Sequence, residues 1–129
     1  MKKNAFKFKN FNIKPVFSDS RGEILDILEE KVSHIGMITF KQGAVRGNHY
    51  HKSSTQYSYV LNGRIQLFIS DINSKYKRKI ILREGALTII SPKIIHTYKA
   101  LTDAKILDMT TFDRKGRGYE KDTFRILQK

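Results

Sequence analysis

The sequence predicts an all-β fold, a sandwich or a closed barrel. Two observations carry this. Short apolar or alternating runs follow one another along most of the chain, punctuated by Gly and by Asn62-Gly63. Only one stretch has the apolar spacing of a helix, and a glycine sits in its first turn.

Taken in order, Phe6, Phe8, Phe11 and Ile13 mark an extended N-terminal stretch, with Lys7 and Lys9 on its other side. The helix-like stretch comes next. Ser20-Arg21-Gly22-Glu23 has capping-box spacing, and Ile24, Leu25, Ile27, Leu28 and Val32 follow. Gly22 weakens that reading, and the family resemblance given below turns the expectation to strand. Residues 35–40 form a strand candidate. Residues 56–61 form another, which Asn62-Gly63 should turn as a hairpin into 64–70, both turn residues taking positive φ. Further runs are 80–82, 86–90, 94–100, 105–111 and 123–127. Asp71-Ile72-Asn73-Ser74 followed by Lys75-Tyr76-Lys77-Arg78-Lys79 reads as an exposed basic hairpin tip. Residues 113–118 read as a solvated loop.

A chain of 129 residues suits one domain that buries about two thirds of its unfolded surface. No apolar run approaches the roughly 20 residues that span a bilayer. The basic N-terminus lacks the apolar stretch of a secretory signal. There is no cysteine, so neither disulfide nor thiolate chemistry can contribute, and a cytoplasmic location is expected. The formal net charge of +13 points to an anionic partner or to a lysine-rich solvated surface. The cations are scattered rather than gathered on one stripe, which argues against nucleic acid and leaves a phosphorylated small molecule.

Three of the four histidines fall in two windows. In Arg46-Gly47-Asn48-His49-Tyr50-His51 two imidazoles stand two residues apart, so a strand here sends both to one face. Gln56 follows five residues later, and the second window is Ser91-Pro92-Lys93-Ile94-Ile95-His96. His34 has no such company and reads as a strand-end or loop histidine.

Gly43-x5-His49-x-His51-x4-Gln56-x6-Gly63 resembles the first cupin motif at every spacing, with Gln56 where the motif carries Glu. Gly85-x5-Ser91 through His96 is similar to the second motif, with its prolines and glycine partly kept. The resemblance covers residues 18–112. It implies a jelly-roll barrel, the double-stranded β-helix, as a single domain over residues 1–129. Asp19-Ser20-Arg21-Gly22, Arg46-Gly47-x-His49-x-His51-Lys52, Gln56 and Leu61-Asn62-Gly63 further resemble the bacterial nucleotide-sugar 3,4-ketoisomerases, which act on thymidine-diphosphate 4-keto-6-deoxyglucose. The Arg-Gly-x-His segment is also similar to the 3,5-epimerases that share the barrel. The stretch 109–125 matches neither pattern.

The resemblance implies a cofactor-independent isomerase or epimerase of cell-surface polysaccharide assembly, with a nucleotide sugar as small-molecule partner. His49 is then the proton carrier, His51 orients the sugar or polarises its carbonyl, and Tyr57 or Arg46 faces the developing oxyanion. Arg21 or Arg46 holds the diphosphate, while Gln56 and His96 complete the substrate site. The rival reading is a dioxygenase or small-sugar isomerase with a divalent transition metal on His49, His51 and His96. A third is a non-catalytic sugar-binding module. Plainer roles compete as well: Arg21 as an ion-pair partner of Asp19 or Glu23, and Tyr50, Tyr57, Tyr59 and Tyr98 as core or interface packing rather than slot lining. A homodimer through sheet edges and the apolar N-terminal strand is expected, with neither nucleic acid nor membrane as partner.

Overall fold

The structure is a computed structural model and describes residues 8–72, 75, 77–112 and 117–126. Among these residues, twelve strands and one short helix run in the order β1 (Phe8–Asn12), β2 (Phe17–Asp19), β3 (Gly22–Ile24), β4 (His34–Phe40), β5 (Val45–His51), β6 (Gln56–Asn62), β7 (Ile65–Asp71), β8 (Lys77–Leu82), β9 (Ala86–Ile90), β10 (Ile94–Ala100), β11 (Ala104–Thr110), α1 (Gly118–Lys121) and β12 (Thr123–Arg125). Ten of the strands make two five-stranded antiparallel sheets, ordered β1-β9-β6-β11-β4 and β12-β5-β10-β7-β8. β2 and β3 form a separate hairpin. Antiparallel sheets facing one another in this connectivity make the expected jelly roll.

Alternate residues of both sheets meet inside. Val60, Ile65, Leu67, Leu82 and Ile106 are fully buried there, with Phe40, Ile90, Ile94 and Tyr98 around them. The outer face of the first sheet is covered too. Tyr57, Tyr59, Leu87 and Met109 form a second cluster, roofed by Ile13, Ile27, Leu28 and Val32. This double cover explains why Gln56 to Val60 are buried without alternation. It also explains the helix-like spacing of 24–32. Ile27, Leu28 and Val32 lie on the sheet from an irregular segment, while Gly22–Ile24 are strand and Ile24 is exposed.

Three expectations are corrected. Asn62-Gly63 is not a hairpin turn, because β6 and β7 belong to different sheets and the turn carries the chain from one to the other. Gly63 has φ 89, whereas Asn62 keeps a negative φ, so the two-residue hairpin geometry is absent. Glycine is required because a Cβ would strike the Asp103 carbonyl and Ala104. Lys77, Arg78 and Lys79 are not a tip either; they open edge strand β8, paired with β7. Residues 73, 74 and 76 of that stretch lie outside the described residues, as do Phe6, 113–116 and Leu127. Finally, Gly118, the end of the expected 113–118 loop, instead opens a helical turn, Gly118–Lys121. Among the described residues no helix is long and apolar enough to cross a membrane.

Candidate active site

The site is built on β5, β10, β6 and β11, with β12 closing it. His49 stands opposite His96 in the β5–β10 ladder, where the register shifts next to His96. The shift has a local cause. Thr97 pairs with Gly47, so Asn48 is an extra residue, a bulge at φ 63 beside Gly47 at φ 102. A Cβ on Gly47 would come within 2.7 Å of the His96 carbonyl oxygen, so only glycine permits this approach. The bulge has a functional result. In a regular strand residues 46 and 49 face opposite sides, but one extra residue brings Arg46 and His49 to the same cavity. The turn before β10 holds Lys93 at φ 70, the left-handed region, and its N–H donates to the His51 carbonyl (2.6 Å).

The three imidazoles pack against one another, with ring centroids 4.7 Å (His49–His96), 5.1 Å (His49–His51) and 5.3 Å (His51–His96) apart. Burial, then the neighbouring His51 and the Arg125 cation, push the His49 pKa down to about 4. His51 is also lowered by burial, against the raising effect of its contacts with Gln56 and Asp122. His96 is pushed well below its ordinary value by burial and by His49 and His51. At neutral pH all three rings are uncharged.

Hydrogen bonds fix which nitrogen of His96 and of His49 carries no hydrogen. His96 Nδ1–H donates to the Ile94 carbonyl (3.0 Å), and its Nε2 is buried without a partner. His51 Nε2 faces Gln56 Oε1 (3.1 Å), and its Nδ1 lies 3.2 Å from the Asp122 carbonyl and 3.4 Å from Thr123 Oγ1. Arginine only donates, so the 3.5 Å contact of Arg125 Nη1 with His49 Nδ1 makes that nitrogen the bare one.

A cavity of about 370 Å³ opens over His49, lined also by Arg46, Gln56, Tyr98, Phe40 and Arg125. Among the described residues no carboxylate lines it, and neither arginine has an ion-pair partner. Arg46 donates to the Thr39 carbonyl (3.1 Å) and lies over the Phe40 ring. Tyr98 Oη is 2.7 Å from Ser58 Oγ. A larger groove of about 430 Å³ lies elsewhere, beside Phe68, Lys77 and Lys79, and holds no histidine.

The sequence-selected residues divide accordingly. His49, Arg46 and Gln56 line the cavity, while His51 and His96, 2% and 0% exposed, stand behind them. Two do not reach it. Tyr57 points to the opposite face of β6 from Gln56, into the outer cluster, where burial and then Glu30 raise its pKa. Arg21 lies in the β2–β3 hairpin with its guanidinium 2.6 Å from Asp19, the plainer of the two roles considered for it. Of the other tyrosines, Tyr98 lines the cavity, Tyr59 packs in the outer cluster and Tyr50 stacks on Phe124.

Sequence reasoning missed what the C-terminus contributes. β12 pairs with β5 so that Arg125 stands opposite His49 and Thr123 opposite His51. Buried Asp122 holds it there, its carboxylate accepting the backbone N–H groups of Lys52, Ser53 and Ser54 at 2.7–3.1 Å. The available signal was the strand pattern of 123–127, whose odd members share a face. Asp108 carried no signal at all.

The three histidines offer ligand atoms within 4.8 Å of one another, and the bare His96 Nε2 suits a metal. The rest of the set does not fit one. Both nitrogens of His51 already face acceptors, Gln56 Oε1 and the Asp122 carbonyl, Gln56 brings no negative charge, and the Arg125 cation lies beside His49.

Comparison with known proteins agrees with this architecture. The cupin family model matches residues 25–128, so the chain belongs to the cupin family. No curated protein matches it by sequence. Among solved structures it is similar to a 3,4-ketoisomerase from Helicobacter canadensis, with a TM-score of 0.79 and 20% identity over 95% of this chain and 92% of that one. It is equally similar to a TDP-quinovose 3,4-ketoisomerase from Campylobacter jejuni (TM-score 0.79, 20% identity, 95% of each chain). A dTDP-4-dehydrorhamnose 3,5-epimerase from Sulfolobus tokodaii follows at a TM-score of 0.70 and 22% identity, covering 88% of this chain and 74% of that one.

Proposed function

We propose that this cupin is a sugar-nucleotide isomerase of the 3,4-ketoisomerase type. Its substrate is a thymidine-diphosphate 4-keto-6-deoxy sugar, and it serves cell-surface polysaccharide assembly in the cytoplasm. The observation that carries the reading is the neutral His49 set between Arg46 and Arg125, in a cavity that no described carboxylate lines. The folds of solved 3,4-ketoisomerases and of a 3,5-epimerase support it.

In this reading the Nδ1 of His49, as Arg125 leaves its 3.5 Å contact for the developing oxyanion, takes the proton from C3, beside the C4 ketone. Negative charge develops on the carbonyl oxygen as the enediolate forms, and the adjacent Arg125 cation stabilises it. The hydroxyl proton passes from O3 to O4, and His49 returns its proton to C4, leaving a 3-keto sugar. Arg46 binds the diphosphate at the rim, and Gln56 meets a sugar hydroxyl. No cofactor is needed, because the ketone itself acidifies the C–H bond. Tyr98, already in contact with Ser58, replaces Tyr57 as the phenol of the site.

We also infer a homodimer. Strands β1 and β4 end the first sheet, and Phe11, Ile35 and Met37 beside them are exposed. The test is NMR of a panel of nucleotide 4-keto sugars with the enzyme, run beside light scattering. The expected results are a 3-keto product from a thymidine-diphosphate 4-keto-6-deoxy sugar and twice the 15.0 kDa chain mass. Binding of free sugars without turnover would favour the sugar-binding module. Turnover that disappears with chelator would favour the metal-dependent rival.

A further inference from the structure

The buried carboxylate of Asp108 has no place in the apolar core around it and does not line the cavity. It lies on β11, is 1% exposed, and its Oδ1 accepts a hydrogen bond from Gln56 Nε2 at 2.7 Å. The other end of the same amide, Oε1, lies 3.1 Å from His51 Nε2. The chemistry of these atoms gives the chain a direction. The Asp108 carboxyl oxygen accepts, so it turns the amide NH2 towards itself and the amide oxygen towards His51. An amide oxygen also only accepts, so at 3.1 Å it draws the neutral ring's one hydrogen to His51 Nε2, in competition with the Asp122 carbonyl 3.2 Å from Nδ1.

We propose that Asp108 is a positioning residue that sets the tautomer of His51 through the Gln56 amide. The far side of the ring is built for this. With Nε2 protonated, Nδ1 of neutral His51 can accept from Thr123 Oγ1 at 3.4 Å. If the ring gains a proton, Nδ1–H can donate to the Asp122 carbonyl at 3.2 Å. Either way Nε2–H stays fixed on Gln56, and the His51 ring is locked 5.1 Å behind His49. The relay also explains why glutamine is useful at position 56. A glutamate there would place a second carboxylate against Asp108, whereas the amide both donates and accepts. The consequence for turnover rests on the isomerase reading, because a base must be held within a fraction of an ångström to act; the tautomer itself does not.

The experiment is long-range ¹H–¹⁵N NMR of the histidine rings at pH 7.5, without substrate. Wild type should show His51 as the single Nε2–H tautomer. Asp108→Asn can donate as well as accept, so Gln56 loses its fixed direction and His51 should become a mixture. Asp108→Asn combined with Gln56→Glu moves the carboxylate one place along the chain. The amide now at position 108 then donates to the carboxylate now at position 56. That carboxylate accepts from His51, and the single Nε2–H tautomer should return. On the sugar that the panel identifies, Asp108→Asn should lower kcat about tenfold or more with KM within about twofold. The proposal is overturned if wild-type His51 is the Nδ1–H tautomer, a result that stands even if Asp108→Asn does not fold. It is equally overturned if Asp108→Asn leaves a pure Nε2–H ring. Should no nucleotide sugar turn over, the isomerase reading fails while the spectra still decide the relay.

Discussion

The interior of the barrel has two parts, and the same strands build both. On β6, β10 and β11 the inward residues include Val60, Ile106 and Ala100, all essentially inaccessible. A few positions along those strands stand Gln56, His96 and Asp108, as deeply buried but polar. The apolar part is held by area removed from water and by close packing, which tolerate any well-fitting hydrophobe. The polar part loses hydration and recovers it only through specific partners, Gln56 to Asp108 and His51, and His96 to the Ile94 carbonyl. One part makes the fold and the other depends on it. A histidine kept neutral by burial exists only because the apolar strands surrounding it are already closed.

This contrast can be broken from either side. Leu67→Ala removes a fully buried side chain of the apolar part and should lower the unfolding free energy by about 2–5 kcal/mol. Urea titration should show that loss to the same extent at pH 7 and at pH 5, since no titrating group changes. Equal stability of Leu67→Ala and wild type would mean that the apolar part is loosely packed.

The polar part should instead make stability depend on pH. The pKa of His49 falls from 6.5 unfolded to about 4 folded. Between those values the unfolded chain binds more protons than the folded one. Unfolding free energy therefore decreases as pH falls from about 6.5 towards 4, and is unaffected by this group above that window. His49 alone accounts for a loss of about 3 kcal/mol across it, and His51 and His96 act in the same direction. Urea midpoints measured from pH 7 to pH 4 check this, and the slope should be shallower in His49→Asn. A wild-type midpoint constant over that range would show that the imidazoles are hydrated.

What could be read from the sequence follows the same division. Strands announced themselves by apolar runs: 86–90 and 94–100 match β9 and β10, and 56–61 differs from β6 by one residue. A spacing of two on one strand puts His49 and His51 side by side, and His96 of the second window meets them from β10. Periodicity could not tell the faces of β6 apart, because both are covered, and so Tyr57 was placed in the cavity rather than in the outer cluster. Nor could it show that Asn62-Gly63 joins two sheets, since that depends on which strands pair. Arg125, Asp108 and Asp122 reach the site through contacts with residues 52 to 76 positions away, which no local pattern records. Arg21 shows the opposite error, a residue within a recognisable segment whose charge is satisfied locally by Asp19.

The most direct test of the central claim, that His49 moves the proton, is turnover of His49→Asn in deuterated water. In wild type, deuterium should appear on the ring carbon that receives the proton. In His49→Asn turnover should fall by about 10²–10⁴-fold, and exchange with it, while nucleotide binding stays within a few-fold. Wild-type turnover in His49→Asn, or undiminished exchange, would contradict the account and pass the role of base to another group of the cavity.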